Sequence, residues 1–256
     1  MRNTITTACL AVIALLVTAC GSTFKVEKYS WEKHPIDARY DSGTNTAAIN
    51  AIARYEHLVT PLEEIVGYCD AEYIHYRDAE TPLSNFSADV IRTMAQKYTS
   101  RQVEMGLANF GGIRNDMPKG GIRVYDIYSI YPFDNTVVVA TVKGSDLRKM
   151  FSHMAKKGRV EALSGVELVI DNYKLVKALV GGSELDDSRD YRVGTINFLL
   201  TGGDGIRLGN VASHVEDTGI FVRDAVVEYF KGETAAGNVI HMDKDGRVRI
   251  TNCGGN

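Results

Sequence analysis

Apolar residues recur at helical spacing from Thr44 onward, at Ala47, Ile49, Ile52, Ala53 and Tyr55, and Pro61 interrupts or ends the predicted helix. Val66 to Tyr76 reads as extended. A second helix is predicted over Ser87 to Tyr98, where Val90, Ile91, Met94 and Ala95 fall on one face. Val103 to Asn109 is an apolar run that enters a glycine turn, as a buried strand does. Thr136 to Lys143 is a stronger strand signal, because Val137 to Val142 is β-branched apart from Ala140. Gly144 to Met154 then carries Leu147, Met150 and Phe151 on one side and predicts a helix. Further strands are expected at Val166–Asp171, Leu175–Val180 (followed by the turn Gly181-Gly182-Ser183) and Tyr191–Ile196, and a further helix at Phe221–Phe230. Val239–Met242 and Val248–Thr251, joined through Asp243-Lys244-Asp245-Gly246, predict a closing hairpin. Strands and helices thus interleave without a repeat, the pattern of one α+β domain with a mixed sheet.

The first residues have a different character. Arg2 precedes an apolar run from Ala8 to Val17, too short for a comfortable membrane span, and Leu16-Val17-Thr18-Ala19-Cys20 resembles a bacterial lipobox. Residues 1–19 are therefore expected to be a lipoprotein signal peptide, with Cys20 the lipidated residue of a membrane-anchored protein facing the periplasm or the cell surface. The alternative is an ordinary signal peptide cut nearby. Residues 20–43 read as a tether and entry loop, and residues 44–253 as the folded domain. A formal charge of −3 gives no electrostatic case for a DNA or RNA polymer as partner. Any small anion would have to meet locally placed arginines. Cys9 leaves with the signal, so Cys69 and Cys253 remain, and either a bridge between them or two free thiols fits their isolated positions.

Candidate chemistry lies in four short strings at strand ends: Arg77-Asp78-Ala79-Glu80-Thr81-Pro82-Leu83-Ser84-Asn85-Phe86, Asn109-Phe110-Gly111-Gly112-Ile113-Arg114, Tyr131-Pro132-Phe133-Asp134-Asn135 and Asn197-Phe198-Leu199-Leu200-Thr201-Gly202-Gly203-Asp204-Gly205. Together they offer two guanidinium forks, an amide, two loop phenylalanines and a carboxylate. That inventory suits a purine ring and its ribose. No G-x-S-x-G elbow, Walker loop or dinucleotide G-x-G-x-x-G occurs.

With these strings in this order, the chain resembles the C-terminal, substrate-binding domain of the 5′-nucleotidase family from about Thr44 to Thr251. The resemblance implies a four-layer α/β/β/α domain with mixed sheets. It also implies that Phe133 and Phe198 clamp the base, Asp204 bonds the ribose hydroxyls, Asn109 reads the base edge, and Arg77 and Arg114 reach the ribose and phosphate side. Two positions depart from the family's pattern. Phe110 and Ser84 stand where glycine is frequent, so Phe110 is expected to add an aromatic wall or narrow the pocket, and the loop around Ser84 is less defined.

Complete members of that family carry a two-metal phosphoesterase site on a separate N-terminal domain. Its ligand strings, Asp-x-His, Gly-Asn-His-Glu and Gly-His-x-His, do not occur in this sequence, and the six histidines are spread singly. No cofactor is expected in this chain, and the divalent metals are expected only in a partner. Two readings follow. In the first, the protein is the nucleotide- or nucleoside-recognition part of a 5′-nucleotidase-type phosphohydrolase, a phosphoric monoester hydrolase by similarity, with the metals supplied by a separately encoded metallophosphoesterase. In the second, it is a stand-alone nucleoside-binding lipoprotein that captures purines without hydrolysis; an inactive scaffold is the blandest option.

Overall fold

The computed structural model describes residues 27–34 and 46–253. The expected signal peptide, Cys20 and most of the tether lie outside the described residues. The chain divides into two compact units, residues 1–51 and 52–256. In the first, residues 27–34 are exposed and have no regular secondary structure. Helix α1 begins at Thr46 and ends at Ala53, and α2 follows at Glu56–Val59.

The second unit holds eleven strands in three sheets among the described residues. These are β1 (Ile65–Cys69), β2 (Met105–Ala108), β3 (Gly120–Arg123), β4 (Thr136–Lys143), β5 (Ala162–Ser164), β6 (Val166–Asp171), β7 (Lys174–Val180), β8 (Ser183–Glu184), β9 (Asp190–Ile196), β10 (Ala212–Phe221) and β11 (Val248–Thr251). The larger helices are α3 (Pro82–Thr99), α4 (Val124–Ile130), α5 (Gly144–Lys156) and α7 (Val222–Ala235), with the single turn α6 (Asn197–Leu200) between β9 and β10. A five-stranded sheet runs β10-β4-β9-β2-β5, a four-stranded one β11-β6-β7-β8, and β1 pairs with β3. Helices α3 and α7 pack on the five-stranded sheet and α5 on β7 of the four-stranded one, the layered mixed α+β fold that the resemblance implies.

Helix α3 shows how the local sequence builds this arrangement. Thr81 caps it: its hydroxyl accepts from Ser84 N–H while the Ser84 hydroxyl accepts from Thr81 N–H, and Pro82 occupies the first turn. Ser84, where the sequence leaves the loop less defined, instead closes this capping box. The helix therefore starts five residues before the predicted Ser87. Leu83, Phe86, Val90, Ile91, Met94 and Ala95 are buried along one stripe, and Phe86 packs edge-on against Tyr229 and Phe230 of α7, each at 5.8 Å.

The predicted closing hairpin does not form. β11 pairs in parallel with β6, and residues 239–242 contribute only an isolated bridge from Ile240 to Cys69. The reason is apolar burial: Val248 and Ile240 each find a buried partner strand farther away than each other. The segment between them instead straps the first motif. Asp243 O accepts from Asn85, Lys244 pairs with Asp78 at 3.0 Å, Gly246 N–H donates to Glu80, and Arg247 pairs with Asp89 at 2.8 Å. Cys69 and Cys253 are both free; burial pushes the Cys69 thiol up to about 12, and Cys253 Sγ accepts from Tyr173 N–H.

His241, expected to be a singly placed histidine, lies between two carboxylates. Nδ1 is 2.6 Å from Asp70 and Nε2 is 2.8 Å from Asp243, so both contacts are favourable only when both ring nitrogens carry protons. The hydrogen bond to Asp70, then that to Asp243, raises its pKa above the ordinary 6.5. The hydrogen bonds from Tyr73 and then His241 lower that of Asp70 below 3.8. A raised histidine pKa contributes stability fully below pH 6.5 and loses it as pH climbs through the folded value; a lowered aspartate pKa contributes above pH 3.8 and loses it as pH falls. The strap is thus expected to be firmest between these two values. A proton titration of His241 followed by NMR should give a midpoint above 6.5; a midpoint at or below it would show that the two carboxylates do not hold the ring.

Candidate functional site

Sheet topology brings the motifs together. β2 and β9 are parallel, so the second and fourth motifs, which follow them, emerge at one end of the sheet. β4 is antiparallel to β9, with Val137 opposite Ile196, so the third motif enters β4 at that same end. β5 is antiparallel to β2, with Ala162 opposite Ala108, which places Glu161 there too. Four segments distant in sequence therefore share one sheet edge.

At this edge the Asn109 side chain is the hub. Its Nδ2 donates to Asp204 Oδ2 at 2.7 Å, joining the second motif to the fourth. The carboxylate can only accept, so the amide must turn its nitrogen to Asp204 and its Oδ1 the other way. That oxygen is buried and has no partner. It faces Gly112, where a Cβ would stand 2.6 Å from it. An unpaired buried acceptor costs about 1–3 kcal/mol.

The phenyl rings of the third and fourth motifs are left in the open. Phe133 is 45% and Phe198 40% exposed, whereas Phe110 is 2% exposed. The Phe198 ring lies over Gly203, where a Cβ would stand 2.2 Å from Cε1, so only glycine admits the ring in this position. Asp204 follows with φ 52°, a left-handed conformation that aspartate tolerates better than most residues. Phe133 is held by its backbone: its carbonyl accepts from Arg223, which also pairs with Asp134 at 2.6 Å. Asn197 Oδ1 accepts from Thr136 N–H and ties the third motif to the fourth. Inside Asn109 and Phe133 the protein closes to a cavity of ≈ 20 Å³, room for about one water.

The arginines are placed differently from each other. The Arg114 guanidinium lies 6.0 Å from the Phe133 ring centroid and makes a long bond to Gly111 O. Arg77 instead lies 4.7 Å from the centroid of Phe110 and pairs with the buried carboxylate of Glu161 at 3.3 Å. Phe110 is therefore a buried support under Arg77 and adds no aromatic wall. Of the six expected binding residues, Asn109 bonds Asp204, Arg114 lies over Phe133, Arg77 reaches the second motif through Phe110 and Glu161, and Phe198 lies over Gly203 beside Asp204.

Glu161 and Arg223 lie outside the motifs. Each acts through others: Glu161 accepts from Phe110 N–H at 2.7 Å while pairing with Arg77, and Arg223 fixes the Phe133 loop. A lone charged residue before a short strand carries no sequence signal of such a role. Glu161→Ala leaves the buried Phe110 N–H without an acceptor and is expected to cost about 1–3 kcal/mol of stability. An unchanged urea midpoint would contradict this placement.

Among the described residues, no group of three or more His, Cys, Asp or Glu could hold a metal ion. No helix among them is long and apolar enough to cross a membrane.

Comparison with known proteins shows the family of this domain. The model of the 5′-nucleotidase C-terminal domain matches residues 64–210. Protein UshA of Yersinia enterocolitica is 30% identical over 148 residues, covering 54% of this chain and 27% of that protein. The trifunctional nucleotide phosphoesterase protein YfkN of Bacillus subtilis is 28% identical over 205 residues, covering 73% of this chain and 14% of that one. The crystal structure of a 5′-nucleotidase precursor from Thermus thermophilus superposes with a TM-score of 0.67 at 27% identity, over 81% of this chain and 44% of that chain. This chain thus spans less than half the length of each. On the motif matches, the topology and these likenesses, the chain belongs to the 5′-nucleotidase C-terminal domain family.

Proposed function

We propose that the protein recognises the nucleotide or nucleoside for a 5′-nucleotidase-type phosphohydrolase. The base stacks between Phe133 and Phe198, the ribose hydroxyls donate to Asp204, Asn109 Oδ1 takes a donor from the base edge, and Arg114 with Arg77 faces the phosphate side. The observation that carries this reading is the Asn109–Asp204 bond, which joins the second motif to the fourth while Phe133 and Phe198 stay half-exposed. Half-exposed aromatic faces favour stacking with little base preference, and a carboxylate accepts two vicinal hydroxyls at once.

The metals and attacking water are assigned to a metallophosphoesterase partner, because complete members of the family that the motifs resemble carry that site on a separate domain. A stand-alone nucleoside-capture role fits the same observation. Calorimetric titration with adenosine and adenosine 5′-monophosphate tests recognition itself; no heat of binding from folded protein would end both readings. A rise in nucleotide hydrolysis on mixing with a metallophosphoesterase that lacks its own recognition domain would select the first reading, and no rise the second. A lipid anchor at Cys20 would hold the domain at a membrane surface in the cell envelope. Incorporation of labelled palmitate that survives Cys20→Ser would refute it.

A further inference from the structure

Arg92, on the sheet-facing side of α3, is built into the protein without being neutralised. A Cβ on Gly106 of β2 would stand 3.0 Å from the Arg92 Cβ, and one on Gly165, just past β5, 3.0 Å from its Cζ and Nη1. Two glycines thus give the side chain its room. Its Nε donates to Val103 O at 3.0 Å, and one turn along the helix Gln96 Oε1 accepts from Val103 N–H at 3.2 Å. Two side chains spaced i, i+4 therefore grip one residue of the chain entering β2. What is left on each is donors only: Nη1 and Nη2 of Arg92 and Nε2 of Gln96.

Other cations with the same degree of burial are paired. Among the described residues, the remaining lysines and arginines that are not exposed are Arg123, Arg148, Lys177, Arg192, Arg223 and Arg247, and each meets a carboxylate. Arg92 meets none. A partly desolvated charge without a counterion is costly, and the protein supplies one everywhere else.

Arg92 borders an open cavity of ≈ 710 Å³ at the C-terminal end of α3, together with Gln96, Lys97, Ser100, Arg101 and Gln102. No carboxylate stands in its wall. Outside it, Lys97 pairs with Glu228 at 2.6 Å and Arg101 with Glu216 at 3.5 Å, from exposed side chains where such pairs hold weakly. Glu216 is shared with Arg192 at 3.2 Å, so one carboxylate serves two guanidinium groups. Positive charge thus remains in excess after pairing. The dipole of α3 accounts for cations in its last turn, but Arg92 lies about two turns back, beyond that reach. A second cavity that Arg92 borders holds Asp89, Glu167 and Asp245 and disfavours an anion.

We propose that the cavity at the end of α3 is a phosphate site, with Arg92 at its base and Gln96, Lys97 and Arg101 around the anion. Several cations with no acid among them call for a multiply charged oxyanion, and arginine's planar fork matches phosphate oxygens. The phosphate is free in solution or carried on a lipid headgroup. This site is separate from the nucleotide edge and does not rest on that reading. The loop 100–102 leads to β2 at Met105, whereas Asn109 follows the strand's other end at Ala108. The first motif lies at the far end of α3, whose 18 residues span ~27 Å.

A titration of the whole protein with inorganic phosphate, followed by NMR of the backbone amides at low and raised potassium chloride, tests this. Saturable shifts are expected at Arg101, Gln102 and Val103, with affinity falling in salt. Affinity should fall at least tenfold in Arg92→Met, which keeps an apolar stem beside the glycines. It should fall similarly in Lys97→Ala/Arg101→Ala, whose side chains are exposed and whose folding is not at stake. Arg114→Ala, at the nucleotide edge, should leave these shifts in place. Cosedimentation with phosphatidylglycerol vesicles, against phosphatidylcholine, separates the two sources. Excess retention on phosphatidylglycerol that Arg92→Met abolishes would assign the site to a headgroup, and phosphate shifts without it to the free anion. Shifts confined to residues 109–114, shifts that survive both sets of substitutions, or neither shifts nor excess retention would overturn the site.

Discussion

Phe198→Ala and Phe133→Ala are each expected to weaken adenosine binding by ~1–3 kcal/mol, roughly 5- to 150-fold, while leaving the thermal midpoint nearly unchanged. The two halves of this expectation come from one observation. Each ring keeps more than a third of its surface in solvent, so little is lost from the core when it is truncated. The same exposed faces are available to sandwich a base. Phe110→Ala is the informative control, because that ring is 2% exposed and its loss from the core is expected to cost ~3–5 kcal/mol of stability. Calorimetry of the two clamp variants beside a melting curve of each separates binding from folding. Adenosine affinity that is unchanged in both variants would mean the base is not held between these rings.

Asp204→Ala is expected to have a comparable effect on ribose recognition, about 1.5–3 kcal/mol or roughly 10- to 150-fold, because hydrogen bonds to a charged acceptor are lost. It also removes the partner of Asn109 Nδ2 and places alanine at φ 52°. Backbone strain in the left-handed region costs roughly 1–2 kcal/mol by itself, so alanine alone would confuse two causes. Asp204→Asn separates them. Asparagine tolerates that backbone and retains an oxygen for Asn109, yet gives up the charge and so weakens the bond to the hydroxyls. The asparagine variant should keep its melting temperature and lose part of the preference for adenosine over 2′-deoxyadenosine. If both variants retain the full preference, the hydroxyls are read elsewhere.

The legibility of this protein in its sequence varies with how local the cause is. Thr136–Lys143 and Val166–Asp171 are predicted to the residue, because β-branched runs and alternation report burial directly. Helix α3 is predicted too short at its start, since its capping box lies inside a motif that reads as loop. Strands β3, β5 and β10 and helix α4 carry no such signal. Those short or mixed-polarity segments take their structure from partners distant in sequence, as β10 does along β4. The closing hairpin fails for the same reason, since Val248–Thr251 finds β6 rather than its neighbour in sequence.

The binding side chains are legible as types and positions, but their states are not. Nothing local distinguishes Phe110 from Phe133, yet one ring is buried under Arg77 and the other is half in solvent. Glu161 is buried and bonded to Phe110 N–H only because β5 runs antiparallel to β2. By itself, the sequence determined the residues that can stack, accept and pair, and the turns where glycine permits them. Tertiary structure alone decided which ring is free, which arginine is already committed, and that the Asn109 oxygen is left without a partner. Those outcomes depend on strand direction and burial across segments up to 95 residues apart, as from Asn109 to Asp204, and no local pattern encodes them.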